Sequence, residues 1–337
     1  GRLDTTCKTS PSEMMKSETD VSPLIVVDWG TTNFRAYLVK RDVEHYGTCR
    51  DKVATTDGLS SIQGDYPGVL KQHIGHWLQS RPSTPILLSG MVSSPSGWVE
   101  VPHIPCPAKI QTLAHNAHQI DDFNNGNTWI IPGLSGLGIS GHFDVMRGEE
   151  VQYFGATHII EAQDLLPPEV ICFPGTHNKW INLANNTQGA LAQFSTSMTG
   201  EIFNLLADQS LLSNSITQQG PWQAQAFLTG LDNSASQGGI MHQLFTVRSL
   251  QLSGAHTNDD GEAYLSGLLV GSEIRSMLSE STEDNKPIHV AIVGADKLSQ
   301  RYLSAIEHLG HCAFTIDAEE ATIAGALAVA QYLNPQA

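Results

Sequence analysis

The chain has 337 residues, of which 40% are hydrophobic and 15% charged, a composition typical of globular proteins large enough for two domains. Its 18 basic and 34 acidic residues give a formal net charge of −16, which argues against nucleic acid or an anionic membrane surface as a partner. The five scattered cysteines and the lack of any run of about 18 apolar residues predict free thiols, a cytoplasmic location and no membrane span.

A strand, a polar turn and a second strand follow a polar tail, with the sequence LIVVDWGTTNFRAYLV over residues 24–39. The apolar run at its start predicts a strand buried on both faces, and Asp28 ends that run. In the turn, Gly30 has no Cβ and Thr31 and Thr32 carry hydroxyl donors, so a phosphate group can approach the backbone closely. A carboxylate beside a phosphate site needs a cation between them, which makes Asp28 a candidate ligand for Mg²⁺ next to a nucleotide. An ordinary hairpin is an equally weighted alternative, because Asp and Gly favour turns for conformational reasons alone.

The same arrangement occurs a second time, in CFPGTHNKWINL over residues 172–183. The two turns match residue by residue: Gly30 with Gly175, Thr31 with Thr176, and Asn33 with Asn178. A third strand is predicted after each copy, over residues 44–53 and 190–197. Two similar halves predict two domains facing a cleft, in which a phosphate chain is held from both sides. Lys179 follows the second turn and would face either the phosphates or solvent.

Between the two copies, the pattern predicts a helix over residues 68–79 and strands over 86–88 and 128–131. The segment 91–107 is rich in Pro, Ser and Gly and contains Trp98, a composition equally typical of a substrate-binding loop and of a structural loop. The Gly-rich residues 132–141 predict a mobile segment at a cleft or hinge. A helix is predicted over residues 143–160.

After the second copy, the pattern predicts helices over residues 222–231, 241–247, 262–278, 296–309 and 319–332, and strands over 288–293 and 313–316. Gly267 and Gly271 predict close packing of the 262–278 helix. The strand 288–293 ends in Gly294 and Ala295 before a helix. That arrangement forms a ligand crevice in open α/β sheets, but it is also an ordinary βαβ connection.

These patterns divide the chain into four predicted parts. They are a flexible tail over residues 1–22, a first domain over 23–145, a second domain over 146–320, and a C-terminal helix over 321–337 that crosses back to the first domain. The tail has no hydrophobic region of the kind that a signal peptide carries. The sequence leaves the oligomeric state open, a homodimer being one option.

Seven segments together resemble one family of kinases. They are VDWGTTNFRA (27–36), SGMVSSPSGW (89–98), WIIPGL (129–134), VMRGEEVQ (145–152), PGTHNKW (174–180), MTGE (198–201) and LSGLLVGSE (265–273). From about Pro23 to its end, the chain resembles the 2-keto-3-deoxygalactonate kinases, also called 2-dehydro-3-deoxygalactonokinases, of the sugar kinase, actin and Hsp70 superfamily. The resemblance implies an α/β fold with two actin-like (ribonuclease H-like) domains, each a mixed sheet flanked by helices, around a central cleft.

The resemblance also implies ATP and Mg²⁺ as cofactors and a sugar acid as the small-molecule substrate. The implied reaction is phosphorylation of the 6-hydroxyl of 2-dehydro-3-deoxy-D-galactonate in galactonate catabolism. Many sugar kinases of the superfamily carry the catalytic carboxylate in a Gly-Asp-Gln helix start before the second phosphate turn. The similar position here reads Gly148-Glu149-Glu150, so Glu149 is the first candidate for the base that takes the proton of the acceptor hydroxyl. Glu150 and Asp144 are alternatives, and a first-turn pair that only complements the helix dipole is a structural interpretation.

Arg147 and Arg35 are the candidates for binding the substrate carboxylate, because a guanidinium meets a carboxylate with two parallel hydrogen bonds. Either arginine could instead be a structural ion-pair partner. The resemblance favours Met91 and Trp98 as substrate-binding residues, and Gly294 with Ala295 as part of the adenosine site. Two alternatives remain, a kinase of this fold for another sugar or sugar acid and a non-catalytic nucleotide-binding member of the superfamily.

Overall fold

The computed structural model describes residues 22–42, 47–186, 188–279 and 286–333. The predicted tail over residues 1–22 lies outside the described residues except for Ser22, as do residues 44–46 of the predicted third strand. None of the helices in the described part of the chain combines the length and the hydrophobicity that crossing a bilayer requires.

The described residues form both strands and α-helices. The strands are β1 Leu24–Trp29, β2 Phe34–Arg41, β3 Gly47–Thr55, β4 Ile86–Ser89, β5 Ile104–Pro105, β6 His118–Gln119, β7 Thr128–Ile130, β8 Leu134–Leu137, β9 Phe143–Met146, β10 Val170–Phe173, β11 Asn178–Asn182, β12 Ser195–Ser197, β13 His289–Gly294 and β14 Cys312–Asp317. The α-helices are α1 Tyr66–Ser80, α2 Ile110–His115, α3 Glu149–Ala162, α4 Thr199–Gln209, α5 Ala224–Asn233, α6 Gly239–Leu252, α7 Asn258–Met277, α8 Asp296–His308 and α9 Ala318–Ala330.

The chain divides into two compact units, and both are discontinuous in sequence. Of the described residues, unit 1 contains those up to Pro102, Ile110–Gly133, and those from Thr322 onward. Unit 2 contains His103–Lys109 and Leu134–Ala321. The first residues of α9 therefore belong to unit 2 and the rest of that helix to unit 1.

Unit 1 is built on a six-stranded mixed sheet with the order β3-β2-β1-β4-β7-β6. The apolar run of β1 is buried, as the sequence predicts, because β1 lies inside the sheet between antiparallel β2 and parallel β4. Helix α1 buries Leu70, Ile74 and Trp77, which recur at helical spacing. The core also contains Trp29, whose ring meets Phe34 edge-to-face at 4.9 Å.

Unit 2 is built on a five-stranded sheet with the order β12-β11-β10-β13-β14, and a smaller sheet has the order β5-β8-β9. Helix α7 begins at Asn258 rather than at residue 262, because Thr257 and Asp260 form a capping box. Most of α7 is buried, and it crosses α5 closely. A Cβ at Gly267 would lie 2.2 Å from the carbonyl oxygen of Phe227, so the predicted close packing at Gly267 is confirmed.

One prediction about residues 132–146 is wrong. The residues that were predicted to open a helix form β9, which pairs with antiparallel β8. Strand β8 lies in the Gly-rich stretch, and the boundary between the two units falls there, between Gly133 and Leu134. The mobility of that stretch stays a prediction. The burial of β9 alternates along the strand, and Gly148, with φ of 108°, separates it from α3, which begins only at Glu149. Short strands with few apolar residues on one face carry little periodic signal, so pairing partners decide their structure.

Candidate active site

The first turn, residues 30–33, is held in place by its carbonyl groups. The N–H groups of residues 58–60 donate to the carbonyl oxygens of residues 30–32 at 3.0–3.3 Å. In a trans peptide the N–H and C=O groups point in opposite directions, so the N–H groups of residues 31–33 face away from this segment. Consecutive backbone amides turned to one side form a suitable cradle for phosphate oxygens. A contact of the first turn with phosphate stays a prediction.

Gly58 is a functional candidate that sequence reasoning missed. A Cβ on Gly58 would lie 2.3 Å from the carbonyl carbon of Thr32, so only glycine lets the supporting segment reach the turn. The signal in the sequence was a single glycine in a loop, and it gives no hint of the distant segment that the glycine contacts.

Asp28 lies near the end of β1, opposite Arg35 on β2 and beside Ser89 at the end of β4. Burial raises the pKa of the Asp28 carboxyl, and the positive charge of Arg35 partly offsets this effect. Gly90 has φ of 97°, and a Cβ there would lie 3.3 Å from Asp28 Oδ1. The half-buried carboxylate thus sits at the carboxyl ends of two parallel strands, next to the first turn.

The second turn, residues 175–178, is closed by a side chain. Gly175 N–H donates to Asn178 Oδ1 at 2.6 Å. The Thr176 carbonyl accepts from Glu201 N–H at 3.0 Å, and a Cβ at Gly200 would lie 2.1 Å from the Gly175 carbonyl oxygen. The N-terminus of α4 therefore lies against the turn, and its partial positive charge adds to the attraction for an anion.

Lys179 follows the second turn on β11, where it is in register with Phe173 and Thr196. Only 5% of its surface is exposed, so it does not point into solvent. The sequence left two orientations open for Lys179, toward the phosphates or toward solvent, and its burial excludes the orientation toward solvent. A contact of Lys179 with phosphate stays a prediction.

A pocket of about 380 Å³ adjoins the second turn and lies wholly within unit 2. We call it the Gly175 pocket. It is lined by Gly175, Thr176, Thr199, Gly200, Phe203, Asn204, Ser266, Leu269, Val270, Leu298, Arg301 and Tyr302. Its walls come from α4, α7 and α8, and they combine apolar side chains with polar ones such as Asn204 and Arg301. A largely apolar pocket that adjoins the turn suits a flat base attached to phosphate.

Sequence reasoning missed the walls of the Gly175 pocket. They are ordinary helix positions, both apolar and polar, which the sequence cannot distinguish from core or surface positions. Arg301 lies over the ring of Trp222 at 3.8 Å, and burial lowers the pKa of its guanidinium.

The predicted adenosine residues, Gly294 and Ala295, do not line the Gly175 pocket as the described residues form it. A Cβ at Gly294 would lie 2.8 Å from Ser299 Oγ and 3.5 Å from Pro174 Cδ. The small size of Gly294 is therefore used for packing inside the protein. Ala295 is the N-cap residue of α8. Their contact with adenosine stays a prediction.

The three candidate bases differ in what already surrounds them. Asp144 on β9 accepts from Thr196 N–H at 2.8 Å and from Thr196 Oγ1 at 2.7 Å. Glu150 is fully buried in the first turn of α3 and accepts from Gly148 N–H at 2.6 Å. Burial, with the negative charge of Glu149, raises the pKa of Glu150 well above its usual value. Glu149 itself is half-buried at the helix start.

The two candidate arginines belong to different units. Arg35 is exposed on β2 beside Asp28. Arg147 lies between β9 and α3, and its Nη2 is 3.5 Å from His103 Nδ1. Burial and the charge of Arg147 lower the pKa of His103, which favours the neutral imidazole. Arg147 is thus adjacent to Glu149 along the chain, and Arg35 is adjacent to the candidate metal ligand.

The predicted substrate loop is anchored to the core of unit 1. Met91 is 36% exposed. The ring of Trp98 stacks on Tyr66 at 6.2 Å and meets Phe123 edge-to-face at 5.6 Å, and Tyr66 donates to the carbonyl oxygen of Ser96. Packing therefore uses much of the Trp98 ring, and its contact with substrate stays a prediction.

Comparison with known proteins identifies the family of this chain. The family model for 2-keto-3-deoxy-galactonokinase matches residues 28–329. The 2-dehydro-3-deoxygalactonokinase of Escherichia coli K12 is 32% identical over 307 residues, covering 91% of this chain and 97% of its own. A probable 2-dehydro-3-deoxygalactonokinase of Rhizobium meliloti is 32% identical over 313 residues, covering 92% and 97%.

Solved structures agree with this assignment. The crystal structure of a candidate 2-dehydro-3-deoxygalactonokinase from Sinorhizobium meliloti has a TM-score of 0.80 and 30% identity, covering 93% of this chain and all of that one. Component A of the Acidaminococcus fermentans (R)-2-hydroxyglutaryl-CoA dehydratase is similar in fold alone, with a TM-score of 0.51, 12% identity and coverage of 93% and 100%. The resemblance found in the sequence is confirmed. The chain belongs to the 2-keto-3-deoxy-galactonokinase family and is a carbohydrate kinase of the actin-like ATPase fold.

Proposed function

We propose that the protein transfers the γ-phosphoryl group of ATP to the 6-hydroxyl of 2-dehydro-3-deoxy-D-galactonate. The main support is the second turn, because its backbone, the N-terminus of α4 and a largely apolar pocket converge on one place within unit 2. A base in the pocket would put its phosphates at the turn, where amides favour negative charge. The family relatives named for this sugar acid support the choice of acceptor.

The residues near the first turn fit a magnesium ion held mainly by phosphates. Mg²⁺ commonly takes one or two protein carboxylates and completes its shell with phosphate oxygens and water. Asp28 is a carboxylate beside the first turn, and Gly90 leaves it uncovered by a Cβ. The ion, when bound, would neutralise phosphate charge and so assist transfer.

Glu149 is proposed to orient the acceptor hydroxyl and to accept its proton. Glu149 directly follows Gly148 at the start of α3, the position at which the resemblance implies the catalytic carboxylate, and it is half-buried, whereas Glu150 is fully buried. Asp144 lies on β9 and accepts two hydrogen bonds from Thr196. Arg147 is proposed to bind the substrate carboxylate, since it lies two residues from Glu149. Arg35 is the second choice, because its charge acts on Asp28.

The test is ADP release with Mg·ATP across a panel of sugars and sugar acids that includes the gluconate epimer. We expect release to be confined to 2-dehydro-3-deoxy-D-galactonate. Glu149→Gln should lower kcat by about 100-fold or more, the usual contribution of a general base. Glu161→Gln, an exposed change at the end of the same helix, is the matched control. Equal release with another acceptor would assign the protein to a different sugar acid.

A further inference from the structure

We propose that the buried carboxylate of Glu273 positions the second turn, acting through the side chain of Asn178, and so controls nucleotide affinity. The proposal rests on the function proposed above, because it assumes that the second turn holds phosphate. Glu273 lies on α7, 95 residues from Asn178 in sequence. It is a positioning residue, since it acts on the turn through another side chain.

The two turns are closed by similar bonds with different acceptors. In the first turn, Gly30 N–H donates to the backbone carbonyl of Asn33 at 2.9 Å. In the second, Gly175 N–H donates to the side-chain oxygen of Asn178 at 2.6 Å. A backbone acceptor is held by the strand itself, whereas a side-chain amide can rotate and present its NH₂ group instead. The second turn therefore needs something that fixes the amide.

Glu273 supplies that constraint. Asn178 Nδ2 donates to both carboxylate oxygens of Glu273, at 3.1 Å and 2.9 Å. Asn178 is 1% exposed and Glu273 is 6% exposed, so water does not compete for these groups. The carboxylate of Glu273 can only accept hydrogen bonds, so the NH₂ group of Asn178 faces it. The other end of the amide, Oδ1, is then the group that faces Gly175.

The same carboxylate also contacts a wall of the Gly175 pocket. Tyr302 OH donates to Glu273 Oε1 at 2.5 Å and accepts from Asn178 Nδ2. Trp180 Nε1 donates to Glu273 Oε2 at 2.8 Å. Tyr302 lines the pocket, so Glu273 is bonded on one side to the turn and on the other to the pocket wall.

Glu273→Gln tests this arrangement with little change in volume. Asn178 Nδ2 lies against both oxygens of Glu273, so either orientation of the new amide places an NH₂ group against it. Asn178 then relieves the conflict by flipping, which turns its NH₂ group toward Gly175 N–H and opens the turn. Trp180→Phe is the matched control, because it removes one donor to Glu273 and leaves the Asn178 contacts in place.

The experiment measures ADP affinity by calorimetry and KM for each substrate in the full-length protein. We expect Glu273→Gln to weaken ADP binding and raise KM for ATP by about tenfold, with KM for the sugar acid changed by less than about twofold. Trp180→Phe should keep ADP affinity within about twofold, even if it lowers Tm. Asn178→Ala, which leaves Glu273 its Trp180 and Tyr302 donors, should reproduce the loss of affinity if Glu273→Gln fails to fold.

The outcomes separate this proposal from the one on which it depends. Unchanged ADP affinity in Glu273→Gln or in folded Asn178→Ala overturns the positioning role while the kinase activity stands. Equal losses in Glu273→Gln and Trp180→Phe also overturn it, because they indicate general destabilisation. A wild-type protein that binds no ADP overturns both proposals.

Discussion

At the scale of single residues, burial changes the chemistry of one carboxyl group more than its sequence position suggests. From its sequence position, Glu150 is an ordinary acidic residue in the first turn of a helix, where a negative charge is favourable. In the folded protein it has no exposed surface, and its Oε1 has no hydrogen-bond partner among the described residues. The pKa of Glu150 is raised well above its usual value, first by burial and then by the charge of Glu149.

This raised pKa predicts a pH-dependent stability difference for Glu150→Gln. The folded protein holds the Glu150 proton more tightly than the unfolded chain does. The stabilisation that this proton provides is present below the unfolded glutamate pKa of about 4.3, and it is lost as the pH rises through the higher pKa of the folded state. Glutamine mimics the protonated form. We expect the variant to exceed wild type in free energy of unfolding by roughly 1–3 kcal/mol at pH 8, with no difference near pH 4.

Urea unfolding at pH 4, 6 and 8 measures this difference. Glu161→Gln, at an exposed position of the same helix, should show no such dependence on pH. A difference that stays constant from pH 4 to pH 8 would mean that Glu150 titrates alike in the folded and unfolded chains.

At the scale of elements, the first turn depends on a segment that is distant in sequence. Residues 58–60 hold three successive carbonyl groups of residues 30–32, and Gly58 permits the contact. Strand β1 and the turn could be predicted because a buried apolar run and a Gly-Thr pair carry strong local signals. The supporting segment could not, because a loop glycine carries no information about its partner.

Gly58→Ala is expected to lower stability and nucleotide affinity together. The new Cβ would overlap the backbone at Thr32, so the turn must move, at a cost of about 2 kcal/mol or more. Gly75→Ala is the control, because its Cβ in α1 meets only Lys71 Cγ at 3.6 Å, and alanine in a helix should gain about 0.5–1 kcal/mol. Thermal melts and KM for ATP measure both effects, and a Gly58→Ala variant with unchanged KM would contradict the role of this segment.

At the scale of the whole molecule, the Gly175 pocket lies entirely within unit 2. Nucleotide alone should therefore protect elements of unit 2 from hydrogen exchange. We expect Mg·ADP to slow exchange at the second turn and at the pocket-facing parts of α4, α7 and α8, because bound phosphate and base restrict local opening. Exchange in α1 of unit 1 should not change.

Hydrogen exchange with mass spectrometry, with and without Mg·ADP, makes this measurement. Sugar acid without nucleotide is the control, and it should leave the second turn unprotected. Protection confined to unit 1 would show that the pocket is not the nucleotide site.

The sequence by itself determined the two Gly-Thr turns and most helices, because these depend on local periodicity and on turn residues that act within a few positions. It also identified the family, through the resemblance of seven segments to the 2-keto-3-deoxygalactonate kinases. It also singled out Asp28 and Glu149, since carboxylates at the end of a buried strand and at a helix start are local patterns. The tertiary structure alone showed that Gly58 supports the first turn and that Glu273 contacts Asn178, across 95 residues. Which distant segments contact each other, and which charges are buried, depends on how surfaces pack in the folded chain. A local sequence pattern carries no information about that packing.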